Sequence, residues 1–188
     1  MKYILSTFLA ATLIFSGFSA KADQILTEMD VNNFLSTLTD VKGLTDNMSE
    51  DSRSELMGHH MQEMQDSEFS PYEHGVSVLK EKYPGDYTNL FGVVTQYGFS
   101  SPEEWAQTGD DMMAAYMNVR VGDQLRQSIV MMSQVPSGSM ALMPPEALQQ
   151  MERSKSIVKE LDAVPAENTE LMKTHADKVD AAMQAMAE

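Results

Sequence analysis

The chain has 188 residues, no cysteine, 17 methionines, and 28 acidic against 13 basic residues, giving a formal net charge of −15. Without cysteine there is no disulfide scaffold, no thiol nucleophile and no lipoprotein acylation site, and the acidity sets the chain against nucleic acid and anionic lipid surfaces as partners. Hydrophobic residues make up 43% of the chain, enough to rule out wholesale disorder, and the length suits one ordinary core.

The amino terminus reads as a cleavable leader. Lys2 is followed by an apolar run from Tyr3 to Phe18 and then by Ser19-Ala20-Lys21-Ala22, that is, a basic region, a hydrophobic region and an A-x-A cleavage site. The apolar run is shorter than the ~20 residues a helix needs to cross a bilayer, so no permanent membrane anchor is expected. Cleavage after Ala22 fits, because cutting after Ala20 would put bulky Phe18 where a small side chain is wanted. The expectation is a leader over 1–22, a single mature helical domain over 23–188 beginning at Asp23, and a periplasmic location. Loss of Lys2 and Lys21 makes the mature charge two units more negative.

Along the mature chain, Val31, Phe34, Leu35, Leu38 and Val41 form one apolar stripe of helical period, and Leu56, Met57, His60, Met61 and Met64 form another. Asn47 to Arg53 between them reads as locally flexible, as does Ser133 to Ser139. Ser70-Pro71-Tyr72-Glu73 and Ser101-Pro102-Glu103-Glu104 each place a hydroxyl at the cap, proline at the first helical position and glutamate three residues after the cap. Tyr83-Pro84-Gly85-Asp86 closes one helix and caps the next, and Gly98 stops that one. Helices are predicted near 71–83, 87–97 and 102–120. In the last of these, Trp105, Gly109, Met113, Tyr116 and Met117 share a face, whereas Val121, Leu125, Ile129 and Met132 form a rotated stripe. A kink or break near Gly122 reconciles the two.

After the linker-like stretch Val135 to Pro145, Ala147, Met151, Ser154, Val158 and Leu161 alternate spacings of four and three, as do Met172, His175, Val179, Ala182 and Met186. The short Val164-Pro165-Ala166 step predicts a C-terminal antiparallel helical hairpin over 145–187, possible as a semi-independent unit, with these two stripes facing each other. Strand-like alternation is absent, so the fold class is all-α, a helical bundle of about six or seven helices.

Motifs for catalysis are missing. No serine sits in G-x-S-x-G, no P-loop or C-x-x-C-H occurs, and the residues three before His59, His60, His74 and His175 are Leu56, Met57, Pro71 and Met172, which removes H-E-x-x-H and the E-x-x-H of di-iron bundles. The expectation is a non-enzyme with no cofactor. Methionine is the compositional oddity. Met57, Met61 and Met64 fall within about 60° on a helix with His60 on their flank, a soft donor set suited to Cu(I) or silver. The same spacing serves an amphipathic helix that merely packs. Met57 and Met64 also stand about 10.5 Å apart along the axis, so one ion touching all three sulfurs would need strongly bent side chains. Packing, with no stoichiometric metal, is therefore the expected role of Met57, His60, Met61 and Met64. His175, inside an apolar stripe, could ligate a non-covalent haem but reads first as a hydrogen-bonded core residue.

Trp105, the only tryptophan, follows Tyr97-Gly98-Phe99 and the second capping signature, predicting an aromatic corner where two helices meet. The segment from Tyr97 to Trp105, with Gly109-Asp110 and Ala115-Tyr116 after it, resembles a motif in small exported α-helical proteins of proteobacteria, a group without assigned activity. That resemblance covers about 20 residues plus the general layout. It implies a helical fold and export, and it carries over no catalytic residue. The functional expectation is a periplasmic protein that works through contacts with another envelope protein, as an adaptor, a chaperone-like binder or an envelope-stress component. The alternative is a periplasmic copper, silver or small-molecule binding protein.

Overall fold

A computed structural model describes residues 24–63, 70–134 and 144–187. Among them there is no strand, and the helices are α1 (Glu28–Asn47), α2 (Glu50–Glu63), α3 (Pro71–Lys82), α4 (Pro84–Val94), α5 (Pro102–Met117), α6 (Asp123–Ser133), α7 (Pro145–Ala163) and α8 (Ala166–Ala187). A five-residue π-turn, Asn118–Gly122, joins α5 to α6 without interrupting the rod, so the all-α bundle has seven helices when that rod is counted once. No described helix is long and apolar enough to cross a membrane. The leader over 1–22 lies outside the described residues.

Local chemistry explains the helix starts, with some departures from expectation. Thr27 caps α1 through a reciprocal box that the stripe pattern alone does not locate: Asp30 N–H donates to its hydroxyl oxygen, and the Asp30 carboxylate accepts the Thr27 N–H at 2.8 Å. Ser101 accepts from Glu104 N–H at 3.2 Å as expected, but the Glu104 carboxylate reaches back to Ser100, one residue further than a regular box. Ser70 makes no cap bond. Pro84 opens α4 three residues earlier than predicted, and the helix tightens into a 3₁₀ turn at Thr95–Tyr97 before Gly98, which holds φ +94°, ends it. The expected flexible stretch at Asn47 to Arg53 is instead a tight corner. Met48 is buried, the Arg53 guanidinium donates to the Asp46 and Met48 carbonyls at the end of α1, and Ser52 is fully buried with its hydroxyl on Asp86. Of the second flexible stretch, residues 135–139 lie outside the described part.

α5 is the axis of the bundle. It runs antiparallel to α1, where Thr37 faces Trp105 and Phe34 faces Gly109, and antiparallel to α3, where Tyr72 meets Asp110 and Lys80 meets Glu103. α8 covers α5 and α1 and runs in the same direction as α1, since Leu26 meets Asn168 and Lys42 meets the Ala185 carbonyl. The core joins Val31, Phe34 and Leu38 of α1, Val76 and Leu79 of α3, Leu90 and Val94 of α4, Trp105, Met112 and Ala115 of α5, and Met172 and Val179 of α8.

The C-terminal hairpin is corrected by this packing. α7 lies against α6, the π-turn and part of α5, whereas α8 lies against α5, α1 and the π-turn; among the described residues α7 and α8 share no extended interface. The rod from Pro102 to Ser133 is about 48 Å long, enough to give each helix its own stretch, so the Val164–Pro165 step joins them end to end. Met151 and Leu161 are buried but stand apart from the main core. Met172, His175 and Val179 are buried as expected, Val158 is half-buried, and Met186 is exposed.

Candidate functional site

Two polar centres lie on the α5–α6 rod, and they do different work. The first is buried. Gly109 lets Phe34 and Tyr72 close onto the helix backbone, and Phe34, Tyr72 and Trp105 pack as a trio with ring centroids 5.2–5.4 Å apart. Trp105 Nε1 donates to the Thr37 hydroxyl at 2.8 Å, and that hydroxyl donates to the Phe34 carbonyl. The predicted aromatic corner therefore exists, but with Phe34 and Tyr72 as ring partners. Phe99 joins the core separately, and the Tyr97 hydroxyl donates to Asp40. Beside the trio, the buried Asp110 carboxylate accepts the N–H groups of Tyr72 and Glu73 at 3.0 and 2.9 Å. A carboxylate from α5 thus caps α3 in place of Ser70, and its charge complements the positive end of that helix. Burial, with the Asp110 charge adding to it, pushes the Tyr72 hydroxyl pKa up to about 12.

The second centre surrounds the π-turn. The Arg126 guanidinium donates to Asn118 Oδ1 at 2.6 Å and to Asp162 of α7 at 2.8 Å, while Asn118 Nδ2 donates to Thr169 of α8. The Arg120 guanidinium spans Asp177 and Asp180 of α8 and lies over the Tyr116 ring, whose hydroxyl also donates to Asp180. That bond, followed by burial, holds the Tyr116 pKa above its ordinary value. One turn of irregular helix thereby grips the end of α7 and the stretch of α8 from Thr169 to Asp180. The buried Gly122 leaves room for the Asn118–Arg126 bond, because a Cβ there would meet Asn118 Oδ1 at 2.6 Å and Arg126 Nη1 at 2.8 Å. Where a kink or break was expected near Gly122, the helix instead continues through this π-turn.

Beyond the π-turn, α6 packs on α7 and on the turn itself, and contributes nothing to the main core. The α6–α7 pair packs beside the main core, with α7 also touching part of α5. Val130 and Met131, in the last turns of α6, are 57% and 65% exposed and stand about 12 Å along the axis from Gly122. Two further exposed apolar pairs occur, Ile25 with Met29 at the start of α1, and Met183 with Met186 at the end of α8.

Met64 lies outside the described residues, as do the side chains of Met57, His60 and Met61, although α2 does form a helix through those three positions. Of the other histidines, His74 sits in α3, and His175 is buried with Nδ1 3.1 Å from the Leu171 carbonyl oxygen and 2.9 Å from the Thr174 hydroxyl. Among the described residues no three histidine or carboxylate side chains come together in a way that could hold a metal ion. Asn168 and the Asn118–Arg126 pair do not stand out in the sequence by motif or stripe, and Asp110 appears there only within the Gly109-Asp110 step of the resemblance, with no role attached. One signal was available: Gly109-Asp110-Asp111 in mid-helix defies helix propensity, and such residues are retained for a reason outside their own helix. Comparison with family models, with curated proteins and with solved structures gives no match.

Proposed function

We propose that the chain is an exported, periplasmic, non-enzymatic protein that acts through contact with another envelope protein, as an adaptor, a chaperone-like binder or an envelope-stress component. The observation that carries this reading is the exposed apolar pair on α6. That helix packs on α7 and the π-turn and adds nothing to the main core, and it leaves Val130 and Met131 largely exposed. Large exposed apolar side chains suit a partner's apolar groove, and methionine adapts to grooves of differing shape. Three of the polar groups that the fold buries serve the fold: Asp110 caps α3, Thr37 receives the indole of Trp105, and Asn168 holds residues 24 and 26. Export rests on the leader in the sequence and agrees with the resemblance to small exported helical proteins.

The test places a photo-crosslinking side chain at Val130 in intact cells, with the same group at exposed Thr88 of α4 as control. A discrete, identifiable envelope adduct at 130 and none at 88 is the expected outcome. Equal or absent labelling at the two positions, or residence of the protein in the cytoplasm with its leader intact, would overturn the reading.

A further inference from the structure

Among the described methionines exposure runs from fully buried, through half-buried Met113 and Met117, to largely exposed. Met48, Met112, Met151 and Met172 are 9%, 2%, 7% and 0% exposed, while Met29, Met131, Met183 and Met186 are 67%, 65%, 44% and 37% exposed. The second group coincides with the exposed apolar pairs: Ile25 with Met29, Val130 with Met131, and Met183 with Met186 each contain at least one thioether. None of these four methionines belongs to the main core. With no cysteine in the chain, thioether sulfur is the only sulfur an oxidant can reach.

We propose that Met29, Met131, Met183 and Met186 are sulfoxidation sites through which two-electron oxidants of the hypochlorous acid class switch off the protein's apolar contact surfaces. The switch rests on the contact reading above and supplies its regulation. In the reaction the thioether sulfur attacks the chlorine of HOCl and releases hydroxide. Water then displaces chloride from the chlorosulfonium, leaving a sulfoxide; the net change is one oxygen gained by sulfur, with chloride and one proton released. Sulfur is oxidised by two electrons and chlorine is reduced by two. The product is polar and carries a hydrogen-bond acceptor in place of a polarizable apolar atom, so burying it in a partner's groove costs free energy that burying the thioether did not. Because the reactive sulfurs stand outside the core, the fold survives their conversion.

The experiment uses the purified mature chain for chemistry and the Val130 photo-crosslinker for contact. Stepwise addition of HOCl, followed by peptide mass spectrometry, should show oxygen at Met29, Met131, Met183 and Met186 before any appears at Met48, Met112, Met151 or Met172, with the melting temperature unchanged over the first stage. Adducts at 130 should fall about tenfold or more, equivalent to about 1.4 kcal/mol, and should return after methionine sulfoxide reductase treatment. A variant with all four residues changed to leucine should keep its adducts through the same oxidant dose. Simultaneous oxidation of the buried methionines, or unfolding at the first additions, overturns the proposal. So does adduct formation that oxidation leaves unchanged, and in that case the contact reading stands. Failure of the reduced protein to form any adduct at 130 removes the contact reading itself, and the switch with it.

Discussion

Gly109 and Gly122 lie on one helical rod and answer to different constraints. At Gly109 an added Cβ would stand 2.5 Å from Phe34 Cε2 and 2.9 Å from Tyr72 Cδ2, and both rings are locked by Trp105. Gly109→Ala should cost about 1–3 kcal/mol of overpacking, read as a melting shift of about 2–4 °C per kcal/mol. At Gly122 the atoms in the way are the ends of Asn118 and Arg126, which can move. There, loss of their mutual bond offsets the gain in helix propensity, and Gly122→Ala should stay within about 1 kcal/mol of the parent. Equal losses at the two positions would show that the rings of Phe34 and Tyr72 are no more fixed than the ends of Asn118 and Arg126. Tyr72 gives a pH signature. Its pKa is raised from 10.0 to about 12 in the fold, so its contribution is fully present below pH 10 and is lost as pH rises toward 12, on the order of 2–3 kcal/mol. Tyr72→Phe should unfold less steeply than the parent over that interval, while the two should differ little in slope near pH 7. At this scale the sequence identified Trp105 as a corner residue because aromatic residues flank a helix start. It could not name Phe34 and Tyr72 as the ring partners, because that pairing depends on how α1 and α3 cross α5.

Helix stripes were legible as stripes, and their partners were not. The spacing of Met172, His175 and Val179 says that one face of α8 is buried; that the face meets α5 and α1, with α7 elsewhere, depends on the length of a rod assembled across an irregular turn. Val179→Asp should therefore loosen the main bundle and lower stability by about 3 kcal/mol or more, because it buries an unpaired carboxylate. Met186→Asp, two turns on, should be close to silent in the same melt. If the two variants melt alike, α8 does not turn its Val179 face toward α5 and α1. Capping shows the same limit. Ser101 works through its own neighbours and could be read from them, whereas the cap of α3 comes from Asp110, 40 residues beyond Ser70 in a chain whose fold alone brings them together.

At the scale of the whole molecule, the first described residues close on the start of the last helix. Asn168 is 1% exposed; its carboxamide oxygen accepts the Leu26 N–H at 2.8 Å and its nitrogen donates to the Gln24 carbonyl at 2.7 Å, holding the first residues flat while Leu26 enters the core. A chain ended after Ala163 keeps α1 to α7 but loses that clamp, along with Met172 and Val179. It should show a broad, weakly cooperative melt and rapid proteolysis. A sharp transition like the parent's would show that α8 is an accessory.

The closing contact also sets an order of events. The residue that fastens Leu26 lies 142 positions later, so no stretch of chain that stops short of Asn168 can complete the bundle. Contacts of such sequence separation are slow to form, because the intervening chain must first be gathered. Until α8 arrives, α1 and α5 lack a lid and residues 24 and 26 lack their clamp. That last helix acts as the latch that locks the tertiary structure.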